Sequence, residues 1–197
     1  MKIENPFLLF TEWFKQAEKH PDIKQANAVN LATSTRHGFP SSRMVLIKNY
    51  SEEGFVFYTN LESRKGLELK DNPRVALCFY WEALDKQIRI EGNVKPVSKE
   101  EADQYFDSRP LDSRLGAWAS KQSRPMAGGL DVLKNAALHS LDNKMGAVER
   151  PPFWSGFRVI PTRVEFWEDG GTTRLHDRTL FLRQDTNSDW KSQKLYP

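Results

Sequence analysis

The sequence predicts a mainly β protein with peripheral helices, an antiparallel barrel of the mixed α+β class. Several apolar or alternating segments of strand length are separated by turn residues. The helical segments are few, short and flanked by capping residues. The sequence also lacks a Rossmann glycine loop, a P-loop, a nucleophile elbow and Cys/His metal spacings. At 197 residues the chain is long enough for one sizeable core, and it is read as a single domain over 1–197.

Residues 6–19 place Phe7, Leu8, Phe10, Trp13, Phe14 and Ala17 at helical spacing, with Asn5 as N-cap and Pro6 at the first position. Pro21 ends this helix, so 1–20 forms an N-terminal helical segment. Residues 28–34 alternate as a strand, and 36–40 have turn composition, with His37 exposed.

Arg43-Met44-Val45-Leu46-Ile47-Lys48 reads as a buried strand with a cation at each end. Strand alternation sends Arg43, Val45 and Ile47 to one face and Met44, Leu46 and Lys48 to the other. Its span is roughly 16 Å, enough to accompany a long anionic ligand, although the same ends could simply reach water.

After a polar loop over 49–54, residues 55–59 form an aromatic strand. Ser63 then caps a short helix that stops before Asn72-Pro73. Arg64 and Lys65 at the start of that helix oppose its dipole unless an anion sits there, which makes either a phosphate site or a solvated basic turn. Residues 75–81 and 87–94 pair as a hairpin, with Gln87 opening the second strand. A capping box at Ser98 and Glu101 starts a helix running to about Arg109. Tyr105 and Arg109 share one face of it, and Ser113 follows beyond Pro110, so the three could converge on one anion or form an ordinary surface stack. A second helical piece covers 111–122.

Residues 124–152 carry few signals. A loop and a helix over 131–141 are expected, with His139 structural. Strands are predicted over 153–160, 162–168 and 179–183, and Asp169-Gly170-Gly171-Thr172 makes a turn.

Composition narrows the function. Apolar residues make up 39%, charged 28% and aromatic 12%, a globular profile. Asp and Glu (26) nearly balance Lys and Arg (29), for a net charge of +3, which does not suit a nucleic-acid binder. The cations instead sit beside aromatic and hydroxyl residues, a pattern suited to small phosphorylated ligands. Cys78, the only cysteine, excludes an internal disulfide and is read as a buried, inert thiol. No apolar run spans a bilayer and the start lacks a signal-peptide core, so a cytoplasmic protein without membrane partners is expected.

The segments Arg43-Met44-Val45-Leu46-Ile47-Lys48, Phe57-Tyr58-Thr59-Asn60, Ser63-Arg64-Lys65-Gly66, Phe79-Tyr80-Trp81, Ser108-Arg109-Pro110 and Arg174-Leu175-His176-Asp177-Arg178 occur in one order. Together they resemble the pyridoxamine/pyridoxine 5'-phosphate oxidase family, and the likeness runs from about Pro6 to Leu195-Tyr196-Pro197. The resemblance implies an FMN-binding split β-barrel of antiparallel Greek-key type, with a helical insertion over 98–145. It also implies a homodimer with FMN at the subunit interface.

By the same resemblance, Arg43, Arg64, Lys65 and Ser123 hold the FMN phosphate, and the Ser63 hydroxyl at the helix start is a further candidate for it. The backbone of Met44, Val45, Leu46, Ile47 and Lys48, with Tyr58, Thr59, Gln87, Gln122, Trp167 and Arg178, lines the rest of the flavin. Lys48, Tyr105, Arg109 and Ser113 bind a substrate phosphate, and Arg174 and His176 hold the pyridine ring as catalytic residues. The implied activity oxidises pyridoxamine or pyridoxine 5'-phosphate to pyridoxal 5'-phosphate with O2, giving H2O2. A phenazine-type flavin oxidase and a non-catalytic flavin or haem binder are the alternatives. Against the family pattern, the sequence starts almost at its first helix, so the basic N-terminal arm of some relatives is expected to be missing, the turn between Trp167 and Arg174 is about one residue longer, and residues 124–150 depart most.

Overall fold

The computed structural model describes residues 5–126, 129, 131 and 148–197. In chain order the elements are α1 (Pro6–Lys19), β1 (Ala28–Ser34), β2 (Pro40–Leu46), β3 (Asn49–Ser51), β4 (Gly54–Asn60), α2 (Arg64–Asp71), β5 (Arg74–Trp81), β6 (Lys86–Pro96), α3 (Lys99–Asp107), α4 (Leu111–Ala119), β7 (Trp154–Glu168), β8 (Asp177–Leu182) and β9 (Lys191–Lys194). All strand pairs are antiparallel, in the order β2-β1-β5-β6-β7-β4-β3. Strand β7 also pairs with β8, and β8 with β9. The ends of this path approach each other where Lys48 N-H donates to the Val56 carbonyl (2.8 Å), so the sheet curls into a split barrel.

Helix α1 forms because Asn5 accepts from the Phe7 N-H (2.9 Å) and Pro6 occupies its first turn. It plugs the barrel with Phe7, Phe10, Trp13, Phe14 and Ala17. Phe10 lies edge-on to Tyr50 and Phe55 (4.8 Å each) and to Phe79 (5.4 Å), a geometry that adds to the burial term. The inward faces of β1, β5, β6 and β7 complete the core with Val29, Leu31, Leu77, Phe79, Ile88, Ile90, Val164 and Phe166.

Several sequence expectations need correction. Residues 43–48 do not form one buried strand: β2 ends at Leu46, lies at the edge of the sheet, and leaves Met44 60% exposed. Ile47 then turns into the core, 3% exposed. Strand β5 is buried on one face only, so Cys78 is half-buried and Tyr80 exposed on the outer face.

The two strands expected over 153–168 are one, because the register of β6 on β7 shifts between Glu91 and Gly92. Gly92 stands opposite Pro161, where the ladder tolerates a residue without an N-H. Helix α3 stops at Asp107, α4 stops at Ala119, and the short strands β3 and β9 lacked a signal strong enough to predict. The helix expected over 131–141 and His139 lie outside the described residues.

Candidate functional site

A cleft of about 800 Å³ opens between β2, the end of β4, the start of α2 and the α3–α4 pair. Arg43, Met44, Val45, Leu46 and Lys48 line one wall; Tyr58, Thr59, Arg64 and Lys65 line the floor. Tyr105, Arg109, Ser113, Gln122 and Ser123 line the far wall. Among the described residues its lining holds Arg43, Lys48, Arg64, Lys65 and Arg109 and no carboxylate. Such a lining attracts anions and repels cations.

Lys48 reaches this cleft beside Arg43 because the chain bends after Leu46, whereas a continuous strand would have sent the two to opposite faces. Ile47 does not reach it. Its N-H donates to the Asn27 carbonyl (2.9 Å) and its carbonyl accepts from Asn27 Nδ2 (3.0 Å). Strand β2 pairs only with β1, so backbone groups on its other edge remain available to a ligand.

Lys65 is 7% exposed, and its Nζ donates to Thr59 Oγ1 (3.2 Å), Ser63 Oγ (3.3 Å) and Gln122 Oε1 (3.3 Å). Burial, and then the charge of Arg43, push its pKa down. An anion in the cleft would offset both effects. Ser63, expected on the phosphate, is fully buried instead. Its Oγ caps α2 by accepting from the Gly66 N-H (3.4 Å) and donates to the Asn60 carbonyl (2.7 Å).

The aromatic part of the cleft is a stack. The Tyr58 ring lies 3.9 Å from Tyr105 and 5.4 Å from Trp154, centroid to centroid. Burial, then Glu101, pushes the Tyr58 phenol up to about 12, so it remains a neutral donor. Arg109 lies over Trp154 (4.7 Å), and its Nη1 is buried without a hydrogen-bond partner among the described residues. A buried guanidinium nitrogen left unpaired is costly, and a phosphate oxygen would satisfy it.

The remaining predicted residues form a second group, on strands β6 to β8 and the turn before β8. Gln87, Trp167 and Arg178 stand side by side across β6, β7 and β8. Arg178 donates through Nε and Nη2 to Glu165 Oε1 (3.0 and 2.7 Å) and through Nη1 to the Tyr196 carbonyl (2.8 Å). His176 packs on Trp167 (4.8 Å), with Nδ1 2.8 Å from Asp169. Arg174 is exposed on the turn between β7 and β8. None of this group lines the cleft within the same chain.

Three described residues other than glycine have positive φ: Asp85, Ser123 and Arg174. Ser123 (70°) and Arg174 (54°) are both predicted site residues, and strained backbone of this kind concentrates at functional positions. Three residues that bear on the site were not expected. Glu68 lies behind Arg43 and Arg64, Glu165 holds Arg178, and Asp169 lies against His176, whose Nδ1 accepts from the Gly170 N-H (3.2 Å). The i,i+4 spacing of Arg64 and Glu68 was a readable signal for the first.

The fold and the cleft define a split-barrel protein suited to phosphorylated ligands. The chain belongs to the pyridoxamine 5'-phosphate oxidase family. Residues 16–140 match the family model for pyridoxamine 5'-phosphate oxidase. Residues 154–197 match the pyridoxine 5'-phosphate oxidase C-terminal dimerisation region. The pyridoxine/pyridoxamine 5'-phosphate oxidase of Maricaulis maris is 51% identical over 194 residues, 98% of this chain and 86% of that protein. That of Bartonella henselae is 49% identical over 198 residues, 100% of this chain and 95% of the relative. Among solved structures, PhzG from Burkholderia lata 383, in complex with tetrahydrophenazine-1-carboxylic acid, superposes with a TM-score of 0.90 at 31% identity, covering 98% and 93% of the two chains. A pyridoxamine 5'-phosphate oxidase-related, FMN binding protein from Nostoc punctiforme shares the fold at a TM-score of 0.80 and 19% identity, with 100% of each chain covered.

Proposed function

We propose that this protein is a cytoplasmic, homodimeric, FMN-dependent oxidase that converts pyridoxamine or pyridoxine 5'-phosphate to pyridoxal 5'-phosphate with O2 as acceptor. The observation that carries this reading is the cleft with five basic side chains, no carboxylate among its described lining, and the orphaned Nη1 of Arg109. Both flavin mononucleotide and the substrate bear a phosphate, and two sets of cations are present to receive them.

Arg43, Arg64, Lys65 and Ser123 hold the cofactor phosphate, with Lys65 fixed by Thr59 and Gln122. The backbone from Met44 to Leu46 lines the flavin, while Lys48, Tyr105, Arg109 and Ser113 take the substrate phosphate. A flavin held there would supply the two-electron redox chemistry between the substrate and O2. The protein's own task is placement: anchoring both phosphates fixes the reacting rings and removes their orientational freedom before reaction. Gln87, Trp167, Arg174, His176 and Arg178 come from the partner subunit, which supplies the half of the site that the cleft lacks.

The PhzG likeness supports a second reading, oxidation of a phenazine precursor. The Arg109 subsite favours a phosphorylated substrate instead. Purified protein is expected to show a flavin spectrum and to form pyridoxal 5'-phosphate and peroxide from pyridoxine 5'-phosphate in air. Absence of both products would refute the reading. Arg174→Ala is expected to lose turnover while keeping FMN.

A further inference from the structure

Behind the phosphate cations sits a carboxylate that does not line the cleft. Glu68, on α2, is 6% exposed. Its Oε2 accepts from Thr33 Oγ1 (2.5 Å) and Ser41 Oγ (2.6 Å) and lies 3.4 Å from Arg43 Nη2. Its Oε1 accepts from Arg64 Nε (2.9 Å). Each oxygen therefore holds one arginine, and Arg43 is held further by Ser41 Oγ (2.5 Å) and Thr33 Oγ1.

Arg64 is 63% exposed at its side chain and would otherwise sample many rotamers. Its tie to Glu68 uses Nε alone, leaving the terminal nitrogens without a partner among the described residues. Those two nitrogens form the fork that grips a phosphate. We propose that Glu68 is the positioning residue of the phosphate subsite, orienting Arg43 and Arg64 so that the protein prefers a flavin bearing a phosphate monoester over the same flavin without one. This rests on the FMN reading and deepens it.

Two effects oppose each other. A negative charge near the cleft weakens its attraction for phosphate, so on charge alone removing Glu68 would tighten FMN binding. On geometry, removing it frees Arg64, leaves Arg43 partly buried without its counter-ion, and lets the two guanidiniums repel. The geometric effect wins in this arrangement because both arginines lie directly on the carboxylate and screen it from the cleft. Preorganised donors of this kind bind through the ordering cost they avoid.

The test compares FMN with riboflavin. Full-length parent, Glu68→Gln, Arg64→Ala and the double variant are freed of flavin and titrated with each ligand by flavin fluorescence. Glu68→Gln is expected to weaken FMN about tenfold while leaving riboflavin nearly unchanged. The double variant should be worse than Arg64→Ala by less than the full tenfold, since only the part of the effect that runs through Arg43 remains, and a full tenfold further loss would show that Glu68 does not act through Arg64. If Glu68→Gln does not fold, Glu68→Asp keeps the charge but cannot reach both arginines, and the same loss of preference is expected. A variant that retains or improves the FMN preference overturns the proposal. A parent that does not prefer FMN over riboflavin overturns the underlying FMN reading instead.

Discussion

At the scale of single residues, the site is a set of charges whose partners are either present in the chain or conspicuously missing. Arg109 is the missing case: its buried Nη1 has no acceptor among the described residues. Arg109→Ala should lower kcat/KM for pyridoxine 5'-phosphate by roughly tenfold to a hundredfold, the range expected for a charge-assisted hydrogen bond, with FMN affinity unchanged. An equal loss of FMN would move Arg109 out of the substrate subsite. Glu68 is the satisfied case. Burial pulls its carboxyl upward, but bonds from Ser41, Thr33 and Arg64, with the charge of Arg43, outweigh this and hold it at about 2 against an ordinary 4.5. Because the folded value lies below the unfolded one, the stabilisation is present above about 4.5 and is lost as pH falls towards about 2, an effect near 3 kcal/mol. Urea unfolding at about pH 6 and about pH 3 should show a steeper loss in the parent than in Glu68→Gln, and equal losses would refute it. The cations of the cleft were legible because Arg and Lys beside aromatic and hydroxyl residues are conspicuous in a sequence. Of the carboxylates, Glu68 left one signal, its i,i+4 spacing to Arg64, while Glu165 and Asp169 left none, since a counter-ion reads as any surface carboxylate until the fold brings its partners to it.

At the scale of elements, the strands legible in sequence are those whose period-two pattern comes from burial on one face, such as β1 and β6. Edge strand β2 carries a different signal. Its apolar run faces the cleft and solvent, so the run predicted burial that a single chain does not supply. Strand β7 was misjudged at Pro161, where a proline inside a strand pattern ordinarily marks a boundary. The bulge at Gly92 resolves this, and it requires glycine there: a Cβ at this position would meet the Ile160 carbonyl oxygen at 2.1 Å and its carbon at 2.8 Å. Backbone atoms cannot yield as a flexible side chain can. Gly92→Ala should therefore cost more than about 2 kcal/mol in urea unfolding, well beyond the typical point substitution. Because β7 bears Trp167 and pairs with β8, which bears Arg178, turnover should fall alongside stability. A variant as stable as the parent would show that the β6–β7 crossing is less tight than described.

At the scale of the whole molecule, the two groups of site residues pose a geometric question. The cleft holds the cations proposed for the phosphates, while Gln87, Trp167, Arg178 and the turn bearing Arg174 and His176 do not line it. The second group falls largely in residues 154–197, which match the family's dimerisation region. In the proposed two-fold dimer the cleft of one subunit would meet the turn of the other, twice over. This makes a prediction that a site confined to one chain cannot share. Arg109→Ala damages the cleft half and Arg174→Ala the turn half, so each variant dimer should have two damaged sites. In a mixed dimer both lesions fall on the same site, because the cleft of one chain meets the turn of the other, and the second site is intact. If equal amounts of the two variants are dissociated and reassociated, half of the dimers are mixed and about a quarter of the parent sites return. Steady-state oxidation of pyridoxine 5'-phosphate by the mixture measures this directly. Recovery towards that fraction requires a composite site, whereas activity no higher than the mean of the two variants alone would confine each site to a single chain.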